Sequence, residues 1–163
     1  MNDGSGNSVP EYLFRSVPAR LHGFEIDGRK RLLDSPWTLD LSGKLDLTRA
    51  TDSSTGEPLP RVAPMRLMLG LDAGVGAWSA RAELEHAARQ ERVPASDTAT
   101  ASYTIVNLSL TRKFDFGGAD ALWFLKIGNL GNTLAYNAST IDTVRYLAPL
   151  PGRSLKTGVR VTF

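Results

Sequence analysis

The chain has no cysteine in its 163 residues. That excludes a disulfide framework and any thiolate metal site. It has only two histidines, His22 and His86. It has no marked excess of one charge, since 19 Lys and Arg stand against 17 Asp and Glu. Nucleic-acid binding calls for a clustered basic excess, so the balance points away from it. No apolar run nears the roughly 18 residues of a membrane-crossing helix. The opening residues MNDGSGNSVP lack the basic and apolar stretches of a secretory signal. No nucleophile elbow or paired-carboxylate spacing stands out either. The chain therefore reads as a non-enzyme without a cofactor. Composition alone describes an ordinary soluble protein, and the pattern of residues does not.

What is present is alternation. In WTLDLSGKLDLTR, Trp37, Leu39, Leu41, Leu45 and Leu47 share one face, while Asp40, Lys44 and Asp46 share the other. That period of two marks a strand. MRLMLGLDAGV, WSARAELEHAARQ and TIVNLSLTRKF repeat the pattern. ALWFLKIGNLGN does so less cleanly, because Leu122 and Phe124 oppose Ala121, Trp123, Leu125 and Ile127. The stretch ARLHGFEIDGR is the weakest case, and LPGRSLKTGVRVTF closes the series. These make about seven strands and no convincing helix.

Short and long connections alternate between them. GVGA and FGGAD are tight glycine turns, and the link at 33–36 is also short. Residues 51–63, 93–101 and 131–152 are long and polar. An antiparallel meander then has all its short turns at one end, as transmembrane β-barrels do. Six aromatics also gather at the short-turn end on the apolar parity: Trp37, Trp78 and Trp123 near strand starts, Phe114, Phe116 and Phe163 at strand finishes. Aromatic rings settle at a bilayer interface in this way. The competing reading is a small soluble antiparallel barrel that binds a ligand, with its apolar face inside.

In order along the chain stand LPRVAP at Leu59, Pro60, Arg61 and Pro64; then Gln90, Thr98, Thr100, Tyr103 and Thr104; then Asn129, Leu130 and Asn132; then Pro151, Gly152 and Arg153; then the terminal Phe163. From about Ala19 to Phe163 this order resembles the C-terminal third of a TonB-dependent outer-membrane receptor, nearest the zinc- and haem-type subgroup. The resemblance implies an all-β fold: an antiparallel transmembrane β-barrel meander, here seven C-terminal strands of a 22-stranded barrel. It implies the outer membrane of a Gram-negative bacterium. It also implies partnership with lipid, a plug domain, TonB, the barrel assembly machinery, and a small-molecule or metal-chelate substrate such as siderophore-iron, haem, cobalamin or a metal ion. The final loop lacks the histidine that zinc-type relatives carry there. Residues 1–18 are assigned to a polar outer-loop remnant and 19–163 to the barrel segment, with no plug. The expectation is a receptor fragment that does not transport alone.

Candidate roles follow from parity and from the resemblance. Arg66, Arg81, Glu83, Glu85 and Arg160 lie on the charged face and are candidates for facing the lumen and plug. Arg61 and Arg153 are expected to fix loop geometry rather than bind ligand. His22 and His86 read as interfacial residues more than metal ligands. Lys156, Gly158, Val161 and Phe163 match the C-terminal assembly pattern of outer-membrane barrels, read by edge pairing. Deleting Phe163 from the full receptor is therefore expected to slow assembly more than it weakens ligand binding. Normal outer-membrane levels of the deletion protein would contradict this.

Overall fold

Alternating side chains leave a backbone two faces and two hydrogen-bonding edges, and such segments satisfy their amides by pairing. The computed structural model describes residues 16–163, and residues 1–15 of the assigned outer-loop remnant lie outside it. It shows seven strands in one sheet: β1 (Ala19–Leu33), β2 (Thr38–Asp52), β3 (Arg66–Val75), β4 (Trp78–Ala87), β5 (Tyr103–Phe116), β6 (Ala119–Gly128) and β7 (Ser154–Thr162). Every neighbour pair is antiparallel and sequential, in the order β1 to β7. A helix of one turn, α1 (Asp142–Arg145), sits in the last long loop, where the sequence suggested none.

The short turns use residues suited to them. Gly117 and Gly118 both have positive φ, at 64° and 85°. A two-residue turn with that geometry matches the twist of the strands it joins. The Gly118 amide also donates to the Asp115 carboxylate. Long connections at 53–65, 88–102 and 129–153 all leave the opposite end.

The register carries the two faces across the sheet. Leu41, Leu71, Ala82, Leu108 and Ile127 are successive cross-strand partners on one face. On the other, Asp40, Asp72 and Arg81 are partners, followed by Ser109 and Lys126. The apolar face is not packed against a second layer. Ile26, Leu41, Leu71, Leu155 and Val159 are all exposed on it. Among the described residues β7 does not pair with β1, so the sheet is open. A closed soluble barrel with its apolar side inside is thereby overturned.

The irregular alternation of β6 has a physical cause. Phe124, on the charged face, stands opposite Gly158. A Cβ built on Gly158 would lie 2.9 Å from Phe124 Cζ, so the ring covers the glycine's bare backbone. The Lys126 ammonium lies 6.0 Å from the same ring centroid, within cation–π reach. Leu122 pairs in register with Lys113 on one side and Arg160 on the other. These apolar residues interrupt the polar face because they fill a gap at a glycine and lie between long cationic side chains.

Gly158→Val is therefore expected to destabilise the sheet by about 1–3 kcal/mol through overpacking. Combined with Phe124→Ala, the loss should be smaller than the sum of the single losses. The temperature at which the barrel loses its compact mobility on a gel measures both. Additive losses would show that the ring and the glycine are not coupled.

Candidate functional site

Strand alternation places an ionic lattice on the charged face. Asp40 accepts from Arg29 at 2.8 Å and also from Arg31. Lys44 meets Glu25 at 2.7 Å. Arg81 bridges Asp72 at 2.5 Å and Glu83 at 2.9 Å. Each partner is on an adjacent strand or two residues along the same strand, the distances at which side chains on one face meet. Such partly exposed pairs contribute little stability each. Together they hold flexible charged side chains flat and in register.

Toward the long-loop end the lattice gives way to a cleft of about 470 Å³. Arg66, Glu85, Tyr103 and Asn107 form its floor, and the loop strip 136–139 covers it with Tyr136 among its lining. The Tyr103 hydroxyl donates to Glu85 at 3.2 Å, and Arg66 reaches Asp46 at 3.5 Å. Floor and cover thus offer one cation, one carboxylate, two phenols and amides. Of the sequence-selected charged residues, Arg66 and Glu85 line this cleft. Arg81 and Glu83 lie further along the same face, and Arg160 lies near the short-turn end. Among the described residues no three His, Asp or Glu side chains gather as a metal site.

The loop motifs tie this end together. Asn129, buried with φ 48°, donates its amide nitrogen to the carbonyls of Thr133 at 2.9 Å and Pro151 at 3.0 Å. Its own backbone amide donates to Asn107 at 2.9 Å. The Arg153 backbone amide donates to Asn132 at 2.9 Å. Arg61, with φ 64°, donates to the Ser139 carbonyl at 3.1 Å. Gln90 donates to the Val62 carbonyl at 2.9 Å. Pro64, Pro151 and Gly152 border the cleft. Residues spread along the chain therefore meet as knots between three loops.

The strongest knot was missed in the sequence. Arg145, at the end of α1, is fully buried. It meets Asp97 at 2.6 Å and Asp142 at 3.2 Å. It also donates to the carbonyls of Thr98, Ala138 and Thr140. It thus joins loop 88–102 to the strip that covers the cleft. No periodicity announces it, because Thr98 and Asp97, the partners that join it to the other loop, lie 47 and 48 residues away in irregular chain.

The apolar face carries the aromatics at the short-turn end. Trp37 lies in the turn before β2 rather than in the strand. Phe114 and Phe116 pair with Ala121 and Ala119, and Trp123 pairs with Val159. Trp78 and Trp123 meet edge to face at 6.3 Å. Arg112, between them in register, places its guanidinium 5.3 Å from the Trp78 ring. Sequence reading overlooked this cation on the apolar parity. A ring face accommodates its charge there.

Arg145→Ala is expected to loosen the loops without unravelling the strands. It would leave Asp97 buried and unpaired, a cost of about 3–5 kcal/mol. Limited proteolysis should then cut within 88–102 and 129–153 while the strand fragments stay protected. Resistance equal to the parent protein would show that the other knots suffice.

Comparison with known proteins places these features. A search of curated proteins finds no match. The solved structure of a protein described as the copper transporter OprC superposes on 88% of this chain with a TM-score of 0.76 at 22% identity. The chain spans 23% of that protein's length. The likeness therefore shows a shared fold. The family profile described as TonB dependent receptor-like, beta-barrel matches residues 1–146. With its open antiparallel meander, its one-ended loops and that match over most of its length, the chain belongs to the TonB-dependent receptor β-barrel family of the Gram-negative outer membrane.

Proposed function

We propose that this chain forms the C-terminal wall and part of the outer mouth of an active importer, and that the cleft under strip 136–139 contacts a scarce nutrient held in an organic chelate. The observation that carries the reading is the cleft itself. It opens on the charged face at the long-loop end and combines Arg66, Glu85 and Tyr103 with backbone and amide groups. Such a mixture hydrogen-bonds a large polar ligand. The copper named for the structural relative is a harder fit to this segment. His22 and His86 lie on the apolar face, opposite Arg49 and Thr104 respectively.

On this reading the charged face borders the lumen, where Arg81, Glu83 and Arg160 contact a plug domain, and TonB supplies the energy through that plug. The apolar face meets lipid, and the aromatics from Trp37 to Phe163 mark its periplasmic interface. Lys156, Gly158, Val161 and Phe163 present the last strand to the assembly machinery. Arg61 and Arg153 serve the loop framework. The seven strands do not transport alone, since an open sheet leaves edge amides bare in hydrocarbon.

Nutrient-limited growth with defined iron, haem, cobalamin and copper sources tests this. Glu85→Gln and Tyr103→Phe are expected to lower uptake of one chelate by about fivefold to tenfold, the worth of one or two ligand hydrogen bonds. The amount of assembled receptor should be unchanged. Parent-level uptake of every chelate by both variants would refute the cleft as a substrate contact.

A further inference from the structure

A second cleft, of about 320 Å³, lies at the long-loop end next to the first, and part of its lining belongs to the apolar parity. Leu47, Val62 and Met65 give it an apolar floor, and Arg49, Arg89 and Arg92 border it. Leu47 and Arg49 share the parity of the apolar face, since Leu45 pairs with Leu67 on that face. Thr51 continues the parity, and the Arg92 guanidinium donates to its hydroxyl at 2.6 Å. Arg20 pairs directly with Thr51, and His22 with Arg49. One rim of the outward face thus collects four arginines and a histidine over a few residues of three neighbouring segments.

Among the described residues, one ion pair is formed by the arginines of this rim. Glu91 meets Arg89 at 3.1 Å. Among the described residues, the side chains of Arg20 and Arg49 have no hydrogen-bond or ion-pair partner. On the inner face, by contrast, carboxylates meet Arg29, Arg31, Lys44, Arg66 and Arg81. Like charges side by side on a sheet are destabilising unless an anion lies among them. An apolar floor beside a basic rim, at the long-loop end of the apolar face, fits a molecule with acyl chains and a phosphate.

We infer that this rim is a binding site for a phosphate-bearing lipid of the surrounding outer leaflet, with Arg49 and Arg92 on the phosphate and Leu47, Val62 and Met65 against the acyl chains. The inference rests on the membrane placement of the apolar face and is independent of which substrate is carried. Basic side chains near an anionic leaflet are each worth about a fivefold gain in lipid binding.

The protein extracted in mild detergent from its own outer membranes provides the test. Bound lipid is counted by native mass spectrometry after exchange into detergent and titration with diphosphoryl lipid A. Phosphatidylethanolamine serves as the lipid without net charge. The parent should hold the diphosphoryl lipid. Arg49→Glu with Arg92→Glu should lose it by tenfold or more on the same per-residue scale, while Arg49→Lys with Arg92→Lys keeps it. Lys30→Glu, on the same face toward the short-turn end, should change nothing. Equal retention by the doubly reversed protein, equal binding of phosphatidylethanolamine, or an equal loss from Lys30→Glu would each overturn the site. Nutrient uptake by the reversed protein, measured in parallel, separates this outcome from failure of the transport reading.

Discussion

A backbone amide in hydrocarbon has no water to bond, so it must bond another amide. The five inner strands meet this demand through a neighbour on each side, while β1 and β7 are paired on one side only among the described residues. Side chains contribute little to that ladder. They are free to differ between the two faces, and they do. The apolar face has no second layer among the described residues, and on the proposed reading lipid plays that part. This is why Ile26 and Leu155 can remain exposed in a folded chain. The few buried apolar residues are mostly small, such as Ala50, Ala87, Ala121 and Ala138. Among the described residues the sheet is held by its strand ladder rather than by a conventional core.

The same constraint explains how charge is handled. On the charged face, cations and carboxylates alternate at cross-strand distance and hold one another. Asp40 takes two arginines and Arg81 takes two carboxylates. On the lipid side a cation has no such partner. Arg112 finds the Trp78 ring instead. At the outer rim Arg89 meets Glu91, while Arg20 and Arg49 have neither a carboxylate nor a ring among the described residues, and on our inference a lipid phosphate supplies the negative charge there.

Period-two alternation made most of the strands legible. Strands β2 to β5 could be placed from Leu39, Leu69, Ala82 and Leu108 because each sits within an unbroken run of inward and outward residues. Strand β1 was faint, since His22, Gly28 and Lys30 interrupt its apolar parity and a register shift between Arg31 and Leu33 ends it. Strand β6 looked irregular until Phe124 was seen over Gly158. The mouth was far less legible. Arg66 and Glu85 could be assigned a face from parity, but not a cleft, because its cover is loop. Arg145 and Asn129 act through hydrogen bonds between distant irregular segments, and single-chain periodicity carries no trace of such pairs. The ordered motifs at Leu59 to Pro64, Gln90, Asn129 and Pro151 were visible as a resemblance. Their physical meaning, as knots between loops, emerged only with the fold.

Strand direction adds a constraint that no residue pattern states. Both β1 and β7 run from the long-loop end to the short-turn end, because seven antiparallel strands begin and finish in the same sense. Placed side by side, these two edges would form a parallel seam within an antiparallel barrel. The described strands therefore cannot close on themselves with a uniform ladder. Nor can they do so with a second copy in the same orientation, whose edges have the same sense. A uniform closure needs an odd number of further strands, beginning and ending in the opposite sense. A 22-stranded barrel of this family leaves about 15, which meets the condition. On the proposed reading, closure turns the charged face inward, and the cleft at strip 136–139 then lies at the mouth of the lumen. The alternation of single residues sets which face is apolar, and the odd strand count sets what must stand beside it.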